Sequence, residues 1–201
     1  LKGSSIVYNF AALSDLNEAL MKPIPSININ ILGNSYILEG GISHKVDRFI
    51  YASSVYVNSR EGGFYGCSKK VAEMFIEQYH QTFGLDFTIL RYGSLYGPRA
   101  DSRNGMKRII DGAVKNKILK YEGNIDSVRE YIHVRDAASA SVEALNEKFK
   151  NKRLILTGHQ PININDLLNM LAEIIGLPTS AIKYSNKDYE GHYRRTPYHY
   201  E

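Results

Sequence analysis

Two side chains one helical turn apart could move a proton. In Tyr65-Gly-Cys-Ser-Lys69 a phenol and an ammonium stand four residues apart, a spacing that puts both on the same side of a helix. A helix is expected there. Val71, Ala72, Phe75, Ile76, Tyr79 and Phe83 recur at intervals of three and four, the period of a buried helical face. A neighbouring positive charge favours the ionised phenol, and so does the positive end of the helix. The pattern therefore predicts a phenol with a lowered pKa, able to accept a proton near neutral pH. A Tyr and a Lys that merely share a helix surface give the same spacing.

The elements that must position this pair lie on either side of it. Upstream, Arg48-Phe-Ile-Tyr-Ala-Ser-Ser54 reads as a short apolar strand ending in two hydroxyls. Downstream, Asp86-Phe-Thr-Ile-Leu-Arg-Tyr92 is a second β-branched and aromatic run, with the turn-prone Gly97-Pro98 beyond it. Further strands are expected at Ser5–Phe10, Tyr131–Val134 and Leu154–Thr157. Helices are expected near Ile27–His44, Arg103–Lys115, Asp136–Phe149 and Ile164–Ile175. On the first of these helices Ile31, Leu32, Ile37 and Leu38 should form the apolar side. This alternation predicts right-handed βαβ units around a parallel sheet. The stretch from Tyr184 to Tyr200, rich in Tyr and His, has no apolar period and reads as a packed tail or a segment short of its last element.

Five motifs occur in order: Asn9-Phe-Ala-Ala-Leu13, Asn30-Ile-Leu-Gly33, Tyr65-x-x-x-Lys69, Leu90-Arg-Tyr-Gly-Ser-Leu-Tyr-Gly-Pro-Arg99 and Arg129-Glu-Tyr-Ile-His-Val-Arg-Asp136. From Ser5 to about Asp166 the chain closely resembles the extended short-chain dehydrogenase/reductases, the NAD-dependent epimerase/dehydratases that act on nucleotide sugars. The resemblance implies an α/β fold, a Rossmann-like doubly wound parallel sheet with a small C-terminal substrate-binding lobe. It divides the chain into a partial NAD-binding domain at 1–122 and, at 123–201, a mixed region with a returning strand and the lobe.

The resemblance also implies roles. Tyr65 would take the proton from a sugar hydroxyl, and Lys69 would lower its pKa and hold the nicotinamide ribose. A strand-end serine, Ser54 or Ser53, would orient the hydroxyl. Counting from the strand favours Ser54; counting back from Val55-Tyr56 places the family's hydroxyl on Ala52. Tyr65 follows Ser54 by only eleven positions, which implies a shortened link. Ala11, Ala12 and Leu13 would line the cofactor loop, Asn30 would hold the backbone there, and Tyr92 would flank the nicotinamide. Ser94, where many relatives carry Asn, would face the substrate with Arg99 and Arg129, the last pairing with a phosphate. Ser54-Val55 leaves no acidic pair of the kind dehydratases carry, so an epimerase is expected over a dehydratase. An NADP-dependent carbonyl reductase and a non-catalytic dinucleotide-sensing regulator are the other readings. The expected partners are a nucleotide sugar and a second copy of the chain, as a homodimer.

One part of the family's pattern is missing. No Gly-rich strand-to-helix turn stands in these residues, and neither Gly40-Gly41 nor Gly62-Gly63 has the spacing or context for one. The chain opens at the family's fourth strand, so three strands, roughly 60 or more residues, are expected to belong to a longer protein. The segment by itself should bind NAD poorly.

Composition narrows the field. The chain has 201 residues, 43% of them hydrophobic, enough for a substantial core. Net charge is +4, but cations and carboxylates are interleaved, which argues against nucleic acid. The single Cys67 excludes an internal disulfide and fits a reducing compartment; it is expected to be a buried bystander. Six histidines show no metal-ligand spacing and no metal is expected. His133 should pack between its apolar neighbours. With no apolar run of about 18 residues and no visible signal peptide, the expectation is a soluble, cytoplasmic protein without membrane contact.

Overall fold

The structure is a computed structural model that describes residues 1–185, 194–195 and 197–198. The expectation for the stretch from Tyr184 to Tyr200 falls largely outside them.

A parallel sheet of four strands runs β1 (Ile6–Asn9), β2 (Arg48–Ser54), β3 (Phe87–Tyr92), β7 (Lys152–Leu156) in spatial order. Strand β2 has a neighbour on each side, and its side chains alternate between two covered faces. Phe49 and Tyr51 pack toward the helical run 23–43 and α4 (Gly63–Phe83). Ile50 packs with Leu90 and Ala144 on the side of α6 (Val134–Glu143). Helices on both faces explain why β2 reads as an unbroken apolar run. Burying such a side chain contributes about 1.5–3 kcal/mol.

The helical run 23–43 is one rod in three parts: α2 (Pro23–Ser26), a π-helical turn (Ile27–Gly33) and α3 (Asn34–Ser43). The expected apolar side is corrected here. Leu38 is buried, but Leu32 is 45% exposed, and the inward positions are Asn30, Asn34, Leu38 and Gly41. A π-turn widens the helix by about one residue per turn and shifts the inward face. On α4, Ala72 and Ile76 are buried while Phe75 and Phe83 are exposed, so the apolar stripe is wider than the buried face. Helix α4 stops at Gly84, whose φ of 73° suits a residue without Cβ.

A second core lies beyond the C-terminal ends of the parallel strands. It packs α5 (Gly105–Asn116) and β5 (Leu119–Glu122) against α7 (Ile164–Ile175) and β9 (Ile182–Ser185). Between the cores, β4 (Ser94–Tyr96), β6 (Val128–His133) and β8 (Pro161–Asn163) form a three-stranded sheet. Because α5 and β5 lie in this second core, the expected boundary at residue 122 cuts through it; the chain passes between cores at 92–94 and again at 156–161. These crossings are in close contact. A Cβ on Gly93 would meet Thr157 Oγ1 at 2.4 Å, and one on Gly158 would meet the Tyr131 carbonyl oxygen at 2.3 Å. Both glycines are there because nothing larger fits.

Candidate active site

At the end of β2 the chain turns through a short 3-10 segment (Val55–Asn58) and reaches α4 within a few residues. Gly62 makes this short link feasible: a Cβ there would meet Tyr56 Cβ at 2.9 Å and Gly66 Cα at 3.0 Å. The result is that the last residue of β2 faces the third residue of α4. The Ser54 hydroxyl accepts from the Tyr56 N–H at 3.3 Å and stands beside the Tyr65 phenol, whose pKa it draws down. The Tyr56 ring stands edge-on to Tyr65, with centroids 6.3 Å apart.

Ser53 points the other way, as alternation along a strand requires. Its hydroxyl donates to Glu73 Oε1 at 2.5 Å, and Glu73 also pairs with Arg91 from β3. The structure thus brings Ser54, and not Ser53, to the phenol.

Lys69 lies one turn beyond Tyr65 and is buried. Its ammonium donates to the Ala52 carbonyl at 2.7 Å, and lies 4.7 Å from the ring centre of Tyr51 and 6.0 Å from that of Tyr65. Burial lowers the Lys69 pKa to about 8, opposed by the charge of Glu73. Burial raises the Tyr65 phenol above its usual value, and the hydrogen bond from Ser54 pulls the other way. This corrects the expected direction. Removing a phenolate from water outweighs an ammonium that is already turned to a carbonyl.

Asn30 is fully buried in the π-turn, so it does not reach a ligand. Its side chain accepts from the Leu13 N–H at 2.8 Å and donates to the Leu13 carbonyl at 3.0 Å and to Ser68 Oγ at 2.9 Å. It thereby ties the loop after β1 to the first turn of α4. Leu13 itself is buried, whereas Ala11 is exposed and Ala12 half-buried. Two residues given no role in the sequence reading assist: Asn9, which opens the first motif, accepts from the Ala11 N–H at 3.1 Å and donates to Asn34 at 2.9 Å. Phe10 is 58% exposed and extends an aromatic row from Tyr8 to Tyr92, with centroids 6.0 and 6.2 Å apart. The Tyr92 hydroxyl is turned away from this row to Ser141, 2.6 Å off.

A cleft of about 890 Å³ opens between the two cores, in the size range of small-molecule sites. Ser54 and Tyr92 line its sheet side; Ser94, Arg103, Tyr121 and Arg129 line the rest. Arg129 is held partly in place by donating to the Val128 carbonyl at 2.9 Å. Arg99 does not line the cleft. It is exposed, with a φ of 67°, and Arg103 and Arg108 occupy the cleft wall instead. Cys67 is also corrected: it lies on the exposed side of α4. The His133 side chain accepts from the Arg135 N–H at 3.3 Å and so caps α6. Among the described residues no group of three or more His, Cys, Asp or Glu could hold a metal, and no helix is long and apolar enough to cross a membrane.

The model of a family described as the NAD dependent epimerase/dehydratase family matches residues 1–158. The chain belongs to that family. A putative UDP-glucose 4-epimerase of Methanocaldococcus jannaschii is 29% identical over 198 residues, covering 90% of this chain and 64% of the relative. A dTDP-glucose 4,6-dehydratase of Actinoplanes sp. is 24% identical over 202 residues, covering 94% and 63%. Among solved structures, the UDP-glucuronic acid 4-epimerase of Bacillus cereus, in complex with UDP-glucuronic acid and NAD, superposes with a TM-score of 0.87 at 25% identity, over 96% of this chain and 65% of that one. The chain spans less than two thirds of the length of these curated relatives. Within the family fold, the cleft sits outside the carboxyl ends of the parallel strands, where open α/β sheets take their ligands.

Proposed function

We propose that the protein containing this chain is an NAD-dependent nucleotide-sugar epimerase. The observation that carries the reading is the Ser54 hydroxyl at the wall of a cleft of about 890 Å³, with the Tyr65 phenol beside it and the Lys69 ammonium buried one turn further along α4. The residues present suit a dinucleotide. Phe10 and Ala11 offer an uncovered apolar platform at the strand ends, and Asn30 fixes the loop that carries it. When bound, NAD would supply the hydride acceptor and donor for the sugar carbon.

The chain's own groups handle the proton. Tyr65 Oη receives it from the sugar hydroxyl as the ketone forms and gives it back when the alcohol is restored. Ser54 holds the sugar oxygen and the phenol in line, and Lys69 offsets the negative charge that Tyr65 carries before the proton reaches it and after it is returned. Arg129 and Arg103 supply guanidinium groups suited to a diphosphate. Ser54 is followed directly by Val55, with no carboxyl group beside it to remove water from the sugar. The relatives named as 4-epimerases point to carbon 4 and to a UDP-sugar.

The intact protein with NAD and UDP-glucose or UDP-glucuronic acid should interconvert the 4-epimers, seen by NMR, without lasting NADH absorbance. A 4-keto-6-deoxy product would instead make it a dehydratase. Stoichiometric NADPH consumption with a carbonyl compound would make it a reductase, and no turnover at all would favour a dinucleotide sensor. A homodimer is part of the same reading, supported by Leu32 and Tyr36 on the helical run and Met74 on α4, all exposed apolar side chains. Sedimentation equilibrium should give twice the chain mass, and a single chain mass would overturn the dimer.

A further inference from the structure

Tyr65, Lys69 and Glu73 follow one another at single-turn spacing on α4, yet the site described so far uses only the first two. Glu73 is 3% exposed, a position a carboxylate seldom takes without partners. Its partners come from both neighbouring strands. Ser53 of β2 donates at 2.5 Å, and Arg91 of β3 grips it with two nitrogens, at 3.0 and 2.6 Å. Ser53 and Arg91 are themselves paired in the parallel register. The carboxylate is therefore fixed to the sheet at the level of the strand ends and has no freedom to swing away.

A second group meets Lys69 from below. The Tyr51 ring, 1% exposed, lies 4.7 Å under the ammonium, within cation–π range. Tyr51 Oη is buried with no hydrogen-bond partner. An orphaned hydroxyl is a burden that a Phe would avoid, so the contribution of this residue lies in the face of its ring. The charged and titratable groups around Lys69 are then Tyr65 and Glu73 on α4, Tyr51 on β2 and Arg91 on β3. Arg91 is neutralised in part by Glu73; the ammonium itself meets the Tyr51 ring and the Ala52 carbonyl, with the Glu73 carboxylate one turn further along α4.

We propose that Glu73, locked by Ser53 and Arg91, and the ring of Tyr51 are positioning residues that keep the Lys69 side chain charged and aimed at the Ala52 carbonyl. The inference deepens the proposed function, since Lys69 is the group through which both act. It also explains the second serine of the strand end. Ser54 serves the phenol, and Ser53 serves the carboxylate that serves the lysine. Removing either the carboxylate charge or the ring should make Lys69 give up its proton at lower pH, in line with the value of about 8 to which burial brings it in the folded chain.

The test uses the intact protein labelled with carbon-13 at the lysine ε position, with the Lys69 signal identified by its loss in Lys69→Met. Glu73→Gln retains shape and hydrogen-bonding capacity and should lower the titration midpoint of Lys69 by about one unit, a tenfold change in acidity. Tyr51→Leu should lower it in the same direction, and Tyr51→Phe should leave it in place because the ring is kept. Unchanged midpoints in both Glu73→Gln and Tyr51→Leu would overturn the proposal. If one of these variants does not fold, as the same spectra will show, the other decides alone, because Tyr51 is not part of the Arg91 pair. The titration needs no substrate. A midpoint that moves in a protein with no epimerase activity would uphold the positioning and reject the proposed reaction.

Discussion

The two walls of the cleft are built on opposite plans. On the sheet side, Ser54 lines the opening with Tyr65 and Lys69 set behind it on α4, and Ser54 and Lys69 are already hydrogen-bonded within the chain. On the lobe side, Ser94, Arg103, Tyr121 and Arg129 come from four separate segments spread over some 35 positions. One wall is a rigid proton-handling seam whose neighbours set its charge state. The other is a lining that meets whatever enters. Chemistry here is local in sequence and buried in space, whereas recognition is dispersed in sequence and faces the cavity.

Substitutions on the two walls should therefore fail differently. The largest effect is expected from Tyr65→Phe, which keeps the ring but removes the proton acceptor. The rate constant kcat of the intact protein should fall by about 10³-fold while circular dichroism stays native, and a loss under tenfold would deny Tyr65 its role. Arg129→Ala should instead raise KM by about 10- to 100-fold, the worth of a charge-assisted contact, with a smaller change in kcat. An equal loss in kcat and kcat/KM would move Arg129 from the binding wall to the reacting one. The smallest effect is on stability. Lys69 titrates near 8 in the folded chain against 10.5 when unfolded, so from about pH 8 upward the unfolded chain holds a proton that the folded chain has released. Stability contributed by this group must rise with pH across that window, by about 2 kcal/mol between about pH 7 and pH 9.5. Urea titrations should show this rise in the wild type and lose it in Lys69→Met; the same slope in both would deny that Lys69 is desolvated.

Much of the seam could be read before any coordinates. The apolar run 48–54, the three-and-four spacing after Tyr65 and the strand at 87–92 are local signals, and the parallel sheet follows from their alternation. Helix α7 matches its expected limits, Ile164–Ile175. The features that escaped were set by partners distant in the chain. Leu32 is apolar but exposed because a π-turn rotated its neighbours, and Asn30 and Asn34 are polar but buried because they serve the loop after β1. The short strands β4, β5, β8 and β9 exist only through pairing with strands distant in the chain, so no run of residues announces them. The direction of the Tyr65 shift depended on burial, which spacing does not reveal. Arg103 stood in a stretch read only as the start of a helix, while Arg99 drew notice from its motif and lies outside the cleft.

The two crossings between the cores bear on how such a protein can change its taste. At Gly158 main chain lies directly against main chain, and at Gly93 it lies against the Thr157 side chain. The gauge of the opening is thus fixed at these crossings and not by the residues that line it. Residues along the lobe can then be exchanged for larger, smaller or differently charged ones without prying the halves apart, which leaves Ser54, Tyr65 and Lys69 undisturbed while the ligand-facing wall changes.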